Sequence, residues 1–82
     1  MINVRLFARL RELAGRDLIE IDLPAGATVA DLRRKLAESF PALQGMLDRC
    51  AVAVNEEFAD NDLTLPLGAE VAVLPPVSGG QP

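Results

Sequence analysis

Apolar and polar side chains alternate from Ile2 to Ala8. Ile2, Val4, Leu6 and Ala8 fall on one face and Asn3, Arg5, Phe7 and Arg9 on the other, the period of two that marks a strand. Phe7 breaks the split, an aromatic on an otherwise polar face. Leu10, Leu13 and Ala14 then switch to helical spacing, and Gly15 is placed to end that short turn as a C-cap. Alternation returns from Asp17 to Leu23, with Leu18 set apart from Ile19, Ile21 and Leu23, and Pro24-Ala25-Gly26 closes the segment with turn residues. The two strands read as a connected antiparallel pair.

Thr28-Val29-Ala30-Asp31 has the form of a capping box: a threonine hydroxyl to accept the N3 amide and a carboxylate at the positive end of a helix. Val29, Leu32, Leu36 and Phe40 recur at helical spacing, Arg33, Arg34, Lys35 and Glu38 fill the outer side, and Pro41 stops the helix. The Arg33-Arg34-Lys35 run is read as a solvated helix face rather than a basic docking patch. Pro41 to Arg49 is expected to be a loop or short helical turn with Leu43, Met46 and Leu47 inward, and Cys50 to Val54 a third strand. Asn55-Glu56-Glu57 turns the chain, Phe58 to Asp60 forms a brief return strand, and Glu70 to Leu74 is the last strand. A helix of this length covers one face of a four-stranded sheet, and nothing else is large enough to cover the other. The pattern therefore predicts an α+β fold, a β-grasp of the ubiquitin kind. A four- to five-stranded sheet carries one main helix on one face in residues 1–76, followed by a tail over 77–82.

Composition narrows the function. Eighty-two residues make one domain, near the size where a single core is barely sufficient, so a partner is expected and a multistep enzyme is not. Twelve acidic residues against eight basic give a net charge of −4, and no basic run meets an aromatic platform, which argues against nucleic acid. Histidine is absent and Cys50 stands alone, so His-based triads, Cys/His zinc sites and internal disulfides are excluded. Cys50, inside an apolar run, reads as a small buried hydrophobe rather than a nucleophile. The opening residues already form a strand pattern rather than a signal peptide, and no apolar stretch could span a membrane. With the lone cysteine, these features predict the cytoplasm.

The chemistry is expected at the end of the chain. Val71 to Leu74 alternates as a strand; Pro75-Pro76 stops it, since proline offers no N–H to a ladder, and Gly79-Gly80 carries no Cβ, so it can enter a slot too narrow for other residues. The run Leu74-Pro-Pro-Val-Ser-Gly-Gly80 resembles the ending of the small, sulfur-carrying subunits of molybdopterin synthase, in the MoaD/ThiS-type family of ubiquitin-like carriers. The resemblance extends through Phe7-Ala-Arg-Leu-Arg-Glu-Leu-Ala-Gly15, Thr28-Val-Ala-Asp-Leu-Arg33, Ala53-Val-Asn55 and Gly68 to Gly80.

The resemblance implies that the first and last strands lie side by side and parallel, which makes the four- to five-stranded sheet a mixed one. It also implies that the Gly80 carboxylate is adenylated by an ATP-dependent activating enzyme, converted to a thiocarboxylate and inserted into a large catalytic subunit. There it donates sulfur to a pterin precursor, in an assembly expected to be a heterotetramer. On this reading Pro75, Pro76, Val77, Ser78 and Gly79 form the arm that carries Gly80. The chain itself would bind no permanent cofactor or metal and have no side-chain catalytic site. Phe7, Leu74 and the outer alanines Ala51, Ala53 and Ala72, extended by Phe58, would form an apolar patch for a protein partner beside the tail. One departure stands out: Gln81-Pro82 follows Gly80, which therefore has an amide where the family has a free carboxylate. Either a protease removes two residues, or they are an artificial extension, or this copy does not carry sulfur. A related carrier for thiamine or cysteine synthesis, a protein modifier and a non-carrier interaction domain remain as alternatives, with Leu74-Pro-Pro-Val-Ser78 favouring the molybdopterin carrier.

Overall fold

In the computed structural model, which describes residues 1–76, two strands that are far apart in sequence lie together at the centre of the sheet. Strand β1 (Ile2–Leu6) runs parallel to β5 (Glu70–Leu74), with Val4 beside Val71 and Leu6 beside Val73. Antiparallel β2 (Leu18–Ile21) flanks β1, and antiparallel β3 (Ala51–Val54) flanks β5, followed at the edge by the two-residue β4 (Glu57–Phe58). The sheet order is β2-β1-β5-β3-β4, a mixed five-stranded α+β grasp whose strands and helix the hydrophobic pattern anticipates and whose parallel β1–β5 pair the family resemblance implies.

The period of two holds where it matters for the core. Ile2, Val4, Leu6, Ile19, Ile21, Val52, Val54, Val71 and Val73 are buried on one face of the sheet. Helix α2 (Val29–Ser39) brings Val29, Leu32 and Leu36, each fully buried, into the same cluster. Its N-terminus is satisfied from three directions. Thr28 Oγ1 accepts the Asp31 N–H at 3.3 Å while Asp31 Oδ2 accepts the Thr28 N–H at 3.0 Å, the reciprocal capping box. The Val29 and Ala30 amides donate to the carbonyls of Leu63 and Asn61, at 3.0 and 3.1 Å, which pins the 60–64 loop to the start of the helix. Phe40 caps the other end, and Pro41–Leu43 turns as a 3₁₀ helix into the short α3 (Gln44–Leu47), which buries Leu43 and Leu47.

Two local expectations need correction. Strand β1 ends at Leu6, and Ala8 is exposed rather than on the core face. Its φ of 54° and ψ of −125° turn the chain sharply into α1 (Arg9–Ala14), so that Leu10 takes the buried position. Such a conformation is costly for a residue with a Cβ. Gly15 then ends α1 in the left-handed region at φ 80°, as its place in the sequence suggests. The second correction concerns Arg33, which is not on a solvated face. Its Nε donates to Asn61 Oδ1 at 2.7 Å and its Nη1 to the Leu47 carbonyl, so it ties α2 to α3 and to the 60–64 loop. Lys35 is half-buried, and Arg34 alone of the three is exposed, paired with Asp31.

Candidate functional site at the root of the tail

The strand leading to the tail is held on both sides. Val71 and Val73 anchor β5 in the core, while Ala72 and Leu74 turn to the opposite face and are half-buried. In the β3 and β5 ladders Ala51 sits opposite Leu74, and Ala53 opposite both Ala72 and Phe58. Directly paired residues share a face, so the register brings Phe58, Ala53, Ala72, Ala51 and Leu74 together on the outer surface. Arg5, beside Ala72 on β1, and Leu18, opposite Arg5 on β2, continue the row toward the other edge.

The expected patch is therefore assembled, but unevenly. Phe58 is 76% exposed and projects from the edge, whereas Phe7, at 39%, lies against the sheet just past the end of β1. Phe7 lines a hollow of about 250 Å³ with Ala53, Ala72, Arg5, Glu56 and Glu70, so an apolar floor carries charges of both signs on its wall. Pro75 and Pro76 are half-buried beyond the last ladder residue. Val77, Ser78, Gly79 and Gly80, which carry the proposed chemistry, lie outside the described residues, as do Gln81 and Pro82.

Ionisable groups near this face are surface charges. Asp31, on the opposite side of the sheet, has its carboxyl held below the usual carboxylate range, chiefly by the Thr28 backbone amide and secondarily by Arg34. Cys50 is buried just before β3 and its thiol donates to the Met46 carbonyl at 3.2 Å. Burial pushes that thiol up from its ordinary value, against the opposing pull of Arg33 and Arg49, so the site is unsuited to nucleophilic work. Among the described residues, no cluster of three Asp, Glu, Cys or His side chains is placed to hold a metal ion.

Sequence reasoning passed over two features. The Asn55 side chain accepts the Glu70 N–H at 3.0 Å while its backbone amide donates to the Glu70 carbonyl at 2.8 Å, so the β3–β4 turn fixes the start of β5. Asn55 at φ 50° was readable as a turn residue tolerant of that region, but its partner was not. The second feature is a groove beside β4, between Phe58 and Leu63, walled by Glu57, Asp60 and Asp62. The acids flanking two large apolar residues were its only signal in the sequence.

Comparison with known proteins covers nearly the whole chain. The sequence profile of the ThiS family matches residues 4–80. A molybdopterin synthase sulfur carrier subunit from Dictyostelium discoideum is 40% identical over 81 residues, covering 95% of this chain and 94% of the relative. Among solved structures, SAMP1 of Haloferax volcanii superposes with a TM-score of 0.82 at 37% identity, over 96% of this chain and 98% of the other. A complex of subunits 1 and 2 of the molybdopterin-converting factor from Helicobacter pylori contains a chain that matches at a TM-score of 0.68 and 26% identity, covering 96% of this chain and 97% of its own.

Proposed function

Since this chain belongs to the ThiS family, we propose that it is the sulfur-carrying small subunit of a molybdopterin synthase, working in complex with a large subunit that holds the pterin precursor. The observation that carries this reading is the reach of the family match to Gly80, through the entire Leu74-Pro-Pro-Val-Ser-Gly-Gly ending. No side chain of this protein need perform chemistry. An α-carboxylate, with a pKa of about 3.5, is ionised at neutral pH and is a poor electrophile. Activation at the expense of ATP by a separate adenylating enzyme places a leaving group on the Gly80 carbonyl, and replacement of that group by sulfur leaves a thiocarboxylate.

The folded body then does the rest. Its outer sheet face docks on the large subunit, and the tail leaving β5 delivers the sulfur at an effective concentration that free sulfide could not reach. Phe7, Phe58 and Leu74 are the contacts proposed to hold that face, with the tail arm Pro75 to Gly79 spanning into the partner's site and two small and two large subunits forming the assembly. Buried Cys50 without a disulfide suits the cytoplasm as the working compartment.

Gly80 is bonded to Gln81 in this sequence, so loading requires release of Gln81-Pro82. The full chain and a chain ending at Gly80 are each incubated with the adenylating enzyme, ATP and a sulfur donor, then measured by intact mass. The Gly80-ended chain is expected to exchange one oxygen for one sulfur, and the full chain to remain unchanged. Thiocarboxylate on a chain still ending in Pro82, or none on the shortened chain under conditions that load a known carrier, would refute the assignment.

The similarity to SAMP1, a small archaeal modifier protein, supports a second reading. The same activated Gly80 carbonyl would be captured by a lysine amine of another protein instead of by sulfur. Adducts of the protein joined through an isopeptide bond, found in place of thiocarboxylate, distinguish that outcome.

A further inference from the structure

The open edge of the sheet has features that neither the tail nor the outer patch uses. Asn55 and Glu56 have φ of 50° and 74° and form a two-residue turn closed by the Val54 and Glu57 pair. Two residues further along, the Ala59 N–H donates to the Val52 carbonyl at 2.9 Å. Phe58 and Ala53 between them form the non-bonded pair of the ladder, so the Phe58 N–H and C=O point away from β3, toward the open edge. β4 is the last strand of the sheet, and among the described residues no strand lies beyond it.

Beside this edge runs a groove of about 400 Å³, whose walls include Phe58, Ala59 and Leu63 and the carboxylates of Glu57, Asp60 and Asp62. Phe58 is 76% and Leu63 42% exposed. No lysine or arginine lines the groove, and among the described residues none of its three carboxylates is in an ion pair. Arg33, the cation that reaches this loop, is already committed to Asn61 and the Leu47 carbonyl. The far side of the sheet is different: the hollow beside β2 contains Arg5 as well as Glu70, so its charges oppose one another. The β4 groove is also held in shape, since the Leu63 and Asn61 carbonyls are fixed by the first amides of α2.

We infer that the β4 edge and its groove receive one extended segment of the large subunit that bears lysine or arginine, added to the sheet as a further strand. This deepens the carrier reading above and rests on it. An open edge offering a paired donor and acceptor at Phe58 selects an extended backbone. Exposed Phe58 and Leu63 take an apolar side chain of that segment, and the unneutralised acids select cations on either side of it. Phe58 also faces Ala53 on the outer surface, which makes the groove continuous with the apolar patch.

The test measures binding of the chain ended at Gly80, the form that the carrier reading requires, to the purified large subunit by titration calorimetry at low and at high ionic strength. Asp60→Lys combined with Asp62→Lys is expected to weaken binding about tenfold or more at low ionic strength, and the gap should narrow as salt screens the charges. Asp60→Asn with Asp62→Asn, checked by circular dichroism, serves if the lysine variant does not fold, with a smaller loss in the same direction. Glu38→Lys, on the outer side of α2 and outside the groove, should leave affinity unchanged. Exchange of the Phe58 amide with solvent deuterium should slow in the complex. Parent binding that the groove variants leave intact overturns this inference alone, and a Phe58 amide that exchanges as fast in the complex as out of it overturns the added strand. No binding by the parent chain overturns the carrier reading and this inference together.

Discussion

Leu36→Ala probes the joint between the single long helix and the sheet. Leu36 is fully buried on α2, in line with Val29 and Leu32, inside the one core cluster that also holds Val4, Leu43 and Val73. The substitution removes three carbons from a site without solvent. At about 0.8 kcal/mol per buried methylene the transfer loss is about 2.4 kcal/mol. Strands of the sheet on one side and the 3₁₀ turn with α3 at its end limit collapse into the space, and the residual cavity brings the expected total to about 3 to 4 kcal/mol. A chain of 82 residues has about 4 to 12 kcal/mol to lose, so this one substitution should remove about a quarter or more of the total stability. The melting temperature should drop by roughly 12 to 32 °C, at about 4 to 8 °C per kcal/mol for a domain this small. Urea denaturation followed by circular dichroism measures it, with Glu38→Ala on the same helix as a surface control that changes stability by less than about 0.5 kcal/mol. A Leu36→Ala loss inside that control range, at an unchanged denaturant slope, would show that the helix does not pack through this face.

Phe7→Ala and Leu74→Ala should weaken binding to the large subunit, by about 2 kcal/mol for an aromatic anchor centred in the interface, while circular dichroism stays native; unfolding of the Phe7 variant would place that ring in the core. Thr28→Ala removes one half of the capping box and should cost about 1 kcal/mol by thermal denaturation. The pH dependence of the same site follows from Asp31, whose folded pKa is depressed. Its contribution is fully present above the unfolded value near 3.8 and is lost as pH falls through the lower folded value, so Asp31→Asn should flatten the acid limb of the stability curve and leave the neutral region's shape unchanged. Cys50 in the native protein should resist alkylation and react only at the rate of unfolding; rapid modification of the folded chain would contradict its burial.

The alternating strands were readable because each shows one face to a core and the other outward. Ile2, Val4 and Leu6 on β1, and Val71 and Val73 on β5, declare their inner face by hydrophobicity alone. Their parallel pairing was a different matter. It joins segments at opposite ends of the chain, and no local pattern encodes which strand a buried valine will find; that expectation came from family resemblance. Ala8 was misplaced because alternation cannot see a backbone that turns at positive φ, where a small side chain happens to suit both readings. Arg33 was misread for a related reason: a charged residue on the outer side of a helix looks solvated until a loop 28 residues away supplies Asn61. Phe7 and Leu74 stand out in the sequence because they break the polar side of the alternation, while the β4 groove depends on the 60–64 loop folding back to α2, which composition does not announce.

The position of β5 has a mechanical consequence. A partner that grips the segment after Pro76 pulls on a strand with neighbours on both sides, parallel β1 and antiparallel β3. A pull along the strand loads those two ladders together, in shear, so many hydrogen bonds must yield at once rather than one after another as in the peeling of an edge strand. Of the five strands β5 is the one whose C-terminal end leads to the tail, and it is among those best placed to bear tension. A pull on the tail is thus met by two ladders at the point where the tail is attached. A single-molecule experiment pulling between the tail and residue 1 should find a high rupture force, and one pulling across the β3–β4 hairpin a much lower one.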